Sequence, residues 1–116
     1  MLTLSLIHIL VLGVSYKQDI DDYRDSPALK VIECLEERGA EVVYFDPWVP
    51  EYHYRGETKR SLSALTVDEL ETADLVMITC GHTNVDYSLI QSHAHVILDT
   101  KNAMKNVSVR DNIEVL

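Results

Sequence analysis

Gly13-Val14-Ser15-Tyr16-Lys17-Gln18-Asp19-Ile20-Asp21-Asp22-Tyr23-Arg24-Asp25-Ser26-Pro27 is the stretch that decides how this chain is read. Ahead of it runs an apolar segment, Ile9 to Val14; behind it Ala28 to Arg38 is amphipathic. A loop between a buried strand and a helix start is where an open α/β sheet binds its ligand. The loop carries two cations, Lys17 and Arg24, against four acids, Asp19, Asp21, Asp22 and Asp25. It is therefore net negative, and an anion held by Lys17 or Arg24 must be held by aimed contact rather than by a bulk field.

Working outward, His8 to Tyr16 reads as the first strand, almost continuously apolar as a strand covered on both faces should be. Ser26 and Pro27 open a helix as N-cap and first helical residue. Ala28, Val31, Ile32 and Leu35 stand at i, i+3, i+4 and i+7 on one apolar face, and Arg38-Gly39 closes the helix. Glu41 to Phe45 is the second strand, completing a β-α-β unit and hence a parallel pair. Asp46 stands about where a dinucleotide fold keeps its ribose-binding acid, although a turn aspartate before Pro47 is the preferred reading. Trp48 to Leu65 has little periodicity and reads as a long surface loop whose aromatics, Trp48, Tyr52 and Tyr54, offer an interface. Thr66-x-x-Glu69 is a capping box before a short helix. Asp74 to Thr79 is the third strand, Asp86 to Ser92 a short helix, His95 to Leu98 the fourth strand and Ile113 to Leu116 a fifth strand at the edge.

The 116 residues suffice for one domain with a core. A formal net charge of -9 argues against nucleic acid and an anionic membrane surface, but not against a nucleotide, which needs only one or two placed cations. Cys34 and Cys80 have no metal or redox spacing and read as free thiols in a reducing cytoplasm. Met1 to Val14 has no basic n-region or cleavage pattern and is shorter than a membrane helix. Residues 1–7 look less organised and are read as lying outside the domain proper, which is set at 8–116. The abrupt start in the first strand creates the expectation of a fragment.

Three loops should gather at one sheet edge. They hold Tyr16, Lys17 and Arg24, then Cys80 and His82, then Asp99, Lys101 and Asn102. Two lysines, an arginine and a tyrosine around one crevice suit a phosphate ester carrying a ring. The alternative is that Arg24 pairs with Asp21, Asp22 or Asp25 and only pins the loop. The turn after the first strand is G-V-S-Y-K-Q, not G-x-G-x-x-G, so no pyrophosphate is expected on glycines. His93 and His95 lack a third metal ligand, and Cys80 with His82 lacks the third group that would orient a base.

The stretch G-V-S-Y-K-Q-D-I-D-D-Y-R-D-S-P-A-L, followed by V-V-Y-F-D-P, resembles the C-terminal domain of the UDP-glucose/GDP-mannose dehydrogenases, most of all the bacterial enzymes acting on UDP-N-acetylhexosamines or UDP-glucose. D-L-V-M-I-T-x-G-H and V-I-L-D-T-K-N fit the same domain, and the resemblance covers Ile9 to Asn102. It implies a Rossmann-like, three-layer α/β domain with a mainly parallel sheet of four to five strands. It implies a parent enzyme of polysaccharide biosynthesis, a cytoplasmic homo-oligomer, that oxidises a UDP-sugar to a UDP-uronic acid with NAD. That enzyme works in two hydride steps, through a thiohemiacetal on a cysteine of a central domain. The NAD-binding and central domains precede this one in the family and are absent here, so the chain alone is expected to oxidise nothing. Tyr16 and Lys17 match the family's pair on the UDP-sugar, and Arg24 its arginine that reaches NAD. Lys101 stands where the family usually has an arginine that contacts substrate, keeping the charge but not the bidentate fork. Cys80 does not match the nucleophile. A stand-alone nucleotide-binding module, regulatory or for assembly through the Trp48–Tyr54 loop, is the rival reading.

Overall fold

The computed structural model describes residues 7–116. Five parallel strands form the main sheet: β1 (His8–Leu12), β2 (Glu41–Phe45), β5 (Leu75–Ile78), β6 (Ile97–Asp99) and β7 (Ile113–Val115), in the spatial order β2-β1-β5-β6-β7. Helix α1 (Pro27–Glu37) covers one face, while α2 (Val67–Thr72) and α3 (Tyr87–His93) cover the other. The alternation along β1 separates the two cores. Ile9 and Val11 pack with Ile32 of α1, and Leu10 and Leu12 with Leu70 and Ile90 of α2 and α3. The three layers and the parallel sheet are those the sequence implies.

The caps form as read. The Ser26 hydroxyl accepts from Ala28 N–H, and Thr66 accepts from Glu69 N–H. On α1 the deeply buried residues are Ala28, Leu29 and Ile32, so Leu29 rather than Val31 completes the inner face. The reading that residues 1–7 lie outside the domain falls, for 1–6, outside the described residues. Ile7 itself accepts Glu41 N–H at 3.0 Å and packs on the core.

Two readings need correction. The first strand ends at Leu12, not Tyr16, because the amides of Val14 and Ser15 bond to the Asp46 carboxylate instead of to a neighbouring strand. The segment after Trp48 is not all loop. It contains an antiparallel hairpin, β3 (Glu51–Tyr54) and β4 (Glu57–Arg60), turned by Arg55 and Gly56 at φ of 52° and 84°. Tyr52 drives that hairpin onto the core, 3% exposed and 5.2 Å from the ring of Tyr44. It is therefore no interface residue, and of the three aromatics only Trp48 is exposed.

The chain leaves β1 to build β2 on one side and later returns to build β5 on the other, so the order reverses between β1 and β5. Such a reversal opens a crevice outside the carboxyl ends of the two strands. Gly13 makes the reversal tight. It sits at φ 85°, and a Cβ there would fall 2.6 Å from Cys80 Cβ. Thr79 adds a hydroxyl bond to the Gly13 carbonyl. Gly13→Ala should combine left-handed strain with overpacking and cost about 2–6 kcal/mol, read by denaturant unfolding. An unchanged midpoint would mean that the two loops can separate freely.

Candidate functional site

Four loops meet at the carboxyl edge of the sheet, and two buried aspartates shape them. Asp46, at the end of β2, has no exposed side chain. Its Oδ2 accepts from Val14 N–H at 2.7 Å, Ser15 N–H at 3.2 Å and His82 Nε2 at 2.9 Å. Its Oδ1 accepts from Trp48 N–H at 2.8 Å and Val49 N–H at 3.1 Å. One carboxylate thus ties together the loops after β1, β2 and β5. Asp99, at the end of β6, does the same within its own loop, accepting from the amides of Lys101, Ala103 and Met104 at 3.1, 3.0 and 2.8 Å.

Asp46 is accordingly a turn and loop aspartate, not a ribose ligand. Burial alone would raise its pKa. The hydrogen bonds from His82, Val14 and Trp48 outweigh that and hold it below the ordinary carboxylate value.

Ser15, His82 and Asp46 lie in sequence of contact but do not form a nucleophilic triad. Ser15 Oγ and Asp46 both approach the same ring nitrogen, Nε2, at 3.2 and 2.9 Å. The Ser15 hydroxyl donates to the Lys17 carbonyl at 2.7 Å, which leaves no proton for a base to take. Burial pushes the Cys80 thiol up, which suits a packed thiol 3.4 Å from Ser15 Oγ and not a nucleophile. Cys34 is half-buried and also free.

The crevice itself has a volume of about 900 Å³. Tyr16, Lys17, Cys80, His82, Lys101 and Asn102 all line it, so the structure brings together most of the residues expected there. It adds Lys105, which the sequence reading passed over although it lies four residues beyond Lys101 in the same loop. Its charged lining is three lysines, Lys17, Lys101 and Lys105, against one carboxylate, Asp86. On a chain of net charge -9 this is a local reversal of sign. Asp86 is itself engaged as the N-cap of α3, accepting from Leu89 N–H at 3.0 Å. Tyr16 is half exposed, its ring available to a ligand.

Arg24 does not line the crevice. Its guanidinium, largely in solvent, forks onto the partly exposed Asp22 at 3.0 and 3.1 Å. Asp22 is the partner among the three aspartates offered by the sequence. A smaller cavity of about 300 Å³ lies between α1 and the hairpin. Its carboxylates, Glu33, Glu36, Glu37 and Glu57, outnumber Arg55 and Lys59, which already pair with Glu33 and Glu36. That cavity repels a phosphate.

Removing the Asp46 charge tests this architecture. Asp46→Asn leaves amide donors facing donors and should cost at least about 1–3 kcal/mol. The sign with pH follows from the lowered folded-state pKa. The stabilisation is complete above the unfolded value, about pH 4, and is lost as pH falls through the folded value. Acid titration of unfolding should therefore be steeper below about pH 4 in the parent than in Asp46→Asn. Parallel acid limbs would remove Asp46 from the centre of the fold.

The sequence matches the model of the UDP-glucose/GDP-mannose dehydrogenase family, UDP binding domain, over residues 10–106. It is 37% identical over 106 residues to a UDP-N-acetyl-D-mannosamine dehydrogenase of Pyrococcus horikoshii, covering 87% of this chain and 23% of that protein. With the enzyme of the same name from Methanocaldococcus jannaschii it shares 34% over 104 residues, 83% of this chain and 23% of the other. The solved UDP-D-ManNAc dehydrogenase of Pyrococcus horikoshii superposes with a TM-score of 0.74 at 29% identity, over 97% of this chain and 26% of that one. The chain spans about a quarter of the length of these relatives. It belongs to the UDP-glucose/GDP-mannose dehydrogenase family, of which it carries the UDP binding domain.

Proposed function

We propose that this chain is the substrate-binding domain of an NAD-dependent UDP-sugar 6-dehydrogenase, and that the crevice between the ends of β1, β5 and β6 holds the UDP part of the sugar nucleotide. The observation that carries the proposal is the cluster of Lys17, Lys101 and Lys105 in one crevice of a chain with net charge -9. In this reading Lys17 donates a charge-assisted hydrogen bond to the diphosphate. Lys101 adds a point charge from the opposite wall. Tyr16 offers its ring face or hydroxyl to the nucleoside. The names of the relatives support a UDP-linked N-acetylhexosamine as the sugar.

NAD does not fit the turn after β1. The amides of Val14 and Ser15 stand where a dinucleotide fold would offer its first turn to a pyrophosphate, and the Asp46 carboxylate already occupies them. Hydride acceptance, the chemistry NAD supplies when bound, is therefore assigned to domains of the parent enzyme outside this chain. Arg24 is the one residue here proposed to reach the cofactor across the domain boundary. Its pair with Asp22 is exposed and screened by solvent, so redirecting the guanidinium costs little.

In the enzyme joined to its NAD-binding and central domains, Lys17→Ala should weaken UDP-sugar binding roughly ten- to a hundredfold, the equivalent of one charge-assisted hydrogen bond. Lys30→Ala is the control, since Lys30 lies on α1 with its ammonium on Glu33. Unchanged affinity in Lys17→Ala would leave its loop a purely structural role. In the same enzyme Arg24→Ala should weaken NAD more than UDP-sugar. Equal losses for both ligands would make Arg24 only the pin of the loop through Asp22.

A further inference from the structure

We propose that His82 is the positioning residue for the Tyr16–Lys17 arm of the crevice, and that it works only as the neutral imidazole, so that ligand affinity falls when the ring takes up a second proton. The proposal rests on the reading that the crevice holds a UDP-sugar.

The His82 side chain is 1% exposed. Asp19 N–H points at its Nδ1 from 2.8 Å. An amide N–H can only donate, so Nδ1 is the acceptor and the ring proton sits on Nε2. From there it donates to Asp46 Oδ2 at 2.9 Å, with Ser15 Oγ at 3.2 Å. Ser15 Oγ in turn holds the Lys17 carbonyl. One ring thus fixes the backbone on both sides of Tyr16 and Lys17, at Ser15 before them and at Asp19 after them. Asp19 is held at φ 61°, unfavourable for a residue with a side chain, and its carboxylate is anchored to Thr83 N–H and Oγ1 at 2.8 Å each.

The groups facing the ring come from every neighbouring element. Asp46 stands at the end of β2, Ser15 and Asp19 lie after β1, and Trp48 has its ring 6.5 Å away. Cys80 and Thr83 flank His82 in its own loop, and Tyr87 of α3 donates its hydroxyl to the His82 carbonyl. A second proton, taken from solvent, must land on Nδ1, where it meets the Asp19 N–H head on. The Asp19 peptide then has to turn away. The acceptor that can replace it is the Asp19 carboxylate, with Oδ1 3.8 Å from Nδ1, and closing that gap shifts Asp19 against Thr83. Either movement releases the arm that carries Tyr16 and Lys17.

The test uses the ¹⁵N-labelled chain and UDP-glucose, whose two phosphates each carry one ester and one anhydride bond and so keep their charge between pH 8 and 5, the range in which histidines usually titrate. Ring ¹⁵N shifts report the tautomer, and backbone amide shifts report binding. At pH 8 Nδ1 should be unprotonated. Affinity should fall about tenfold wherever the ring takes up its second proton, in step with the Asp19 amide. His82→Ala should bind about tenfold more weakly at pH 8. His82→Gln, whose amide offers one acceptor and one donor, should recover most of that loss and lose the pH dependence. A protonated Nδ1 at pH 8 would overturn the proposal. So would a pH dependence that survives in His82→Gln, or affinity that rises on acidification, as an imidazolium acting directly on the diphosphate would produce. If UDP-glucose binds at pH 8 neither to the chain nor to the enzyme joined to its other domains, the assignment of the crevice's ligand fails. The positioning role is then still decided by the ring tautomer and by whether the Asp19 amide follows ring protonation.

Discussion

A single ionised carboxylate, that of Asp46, is what the carboxyl edge of this sheet depends on. It is buried, and it is stable as an anion because five donors from three loops converge on it. Without it the buried amides of Val14 and Ser15 and the His82 imidazole would lose this partner, each a loss of the order of 1–3 kcal/mol. The interaction therefore does two things at once. It ends β1 at Leu12 by diverting the amides of Val14 and Ser15, and it swings the following residues outward as the wall of a crevice. Gly13 permits the close approach to Cys80 on which the same geometry relies.

That arrangement also separates this domain from a dinucleotide fold built on the same strand-turn-helix plan. In such a fold the first turn is left open for a pyrophosphate. Here the protein supplies its own anion at the turn. The proposed site for a ligand phosphate lies further out, against side chains. The electrostatics agree with this placement. The acids of the Gly13–Pro27 loop that stand nearest have local partners, Asp19 on Thr83 and Asp22 on Arg24, and both have lowered pKa values as a result. The lysines of the crevice face only the N-cap carboxylate of α3. A chain that repels anions at long range can thus attract one at short range.

Much of this was legible in the sequence because it is carried by local rules. Ser26-Pro27 and Thr66-x-x-Glu69 announced their helices, and continuous apolar runs announced β1 and β5, since parallel strands are covered on both faces. Tyr16, Lys17 and Lys101 were legible as crevice residues because they follow strand ends. What escaped was set by distant partners. Nothing around Asp46 reveals that His82, 36 residues later, will donate to it. The hairpin escaped because its strands are short and polar, and its attachment is one inward tyrosine, Tyr52, whose burial depends on Tyr44 and Tyr23. Lys105 escaped because its loop is folded by Asp99 onto the crevice, a course that spacing alone does not reveal.

The proposed anion site rests on the local reversal of charge at the carboxyl edge, where Lys17, Lys101 and Lys105 line one crevice. The most direct measurement is amide shift mapping of the ¹⁵N-labelled chain titrated with a UDP-sugar. Shifts confined to Tyr16, Lys17, the Cys80–Thr83 loop and the loop from Lys101 to Lys105 are the expected result. Shifts centred on Glu33, Tyr54 and Arg55, at the acid-lined cavity between α1 and the hairpin, would contradict it.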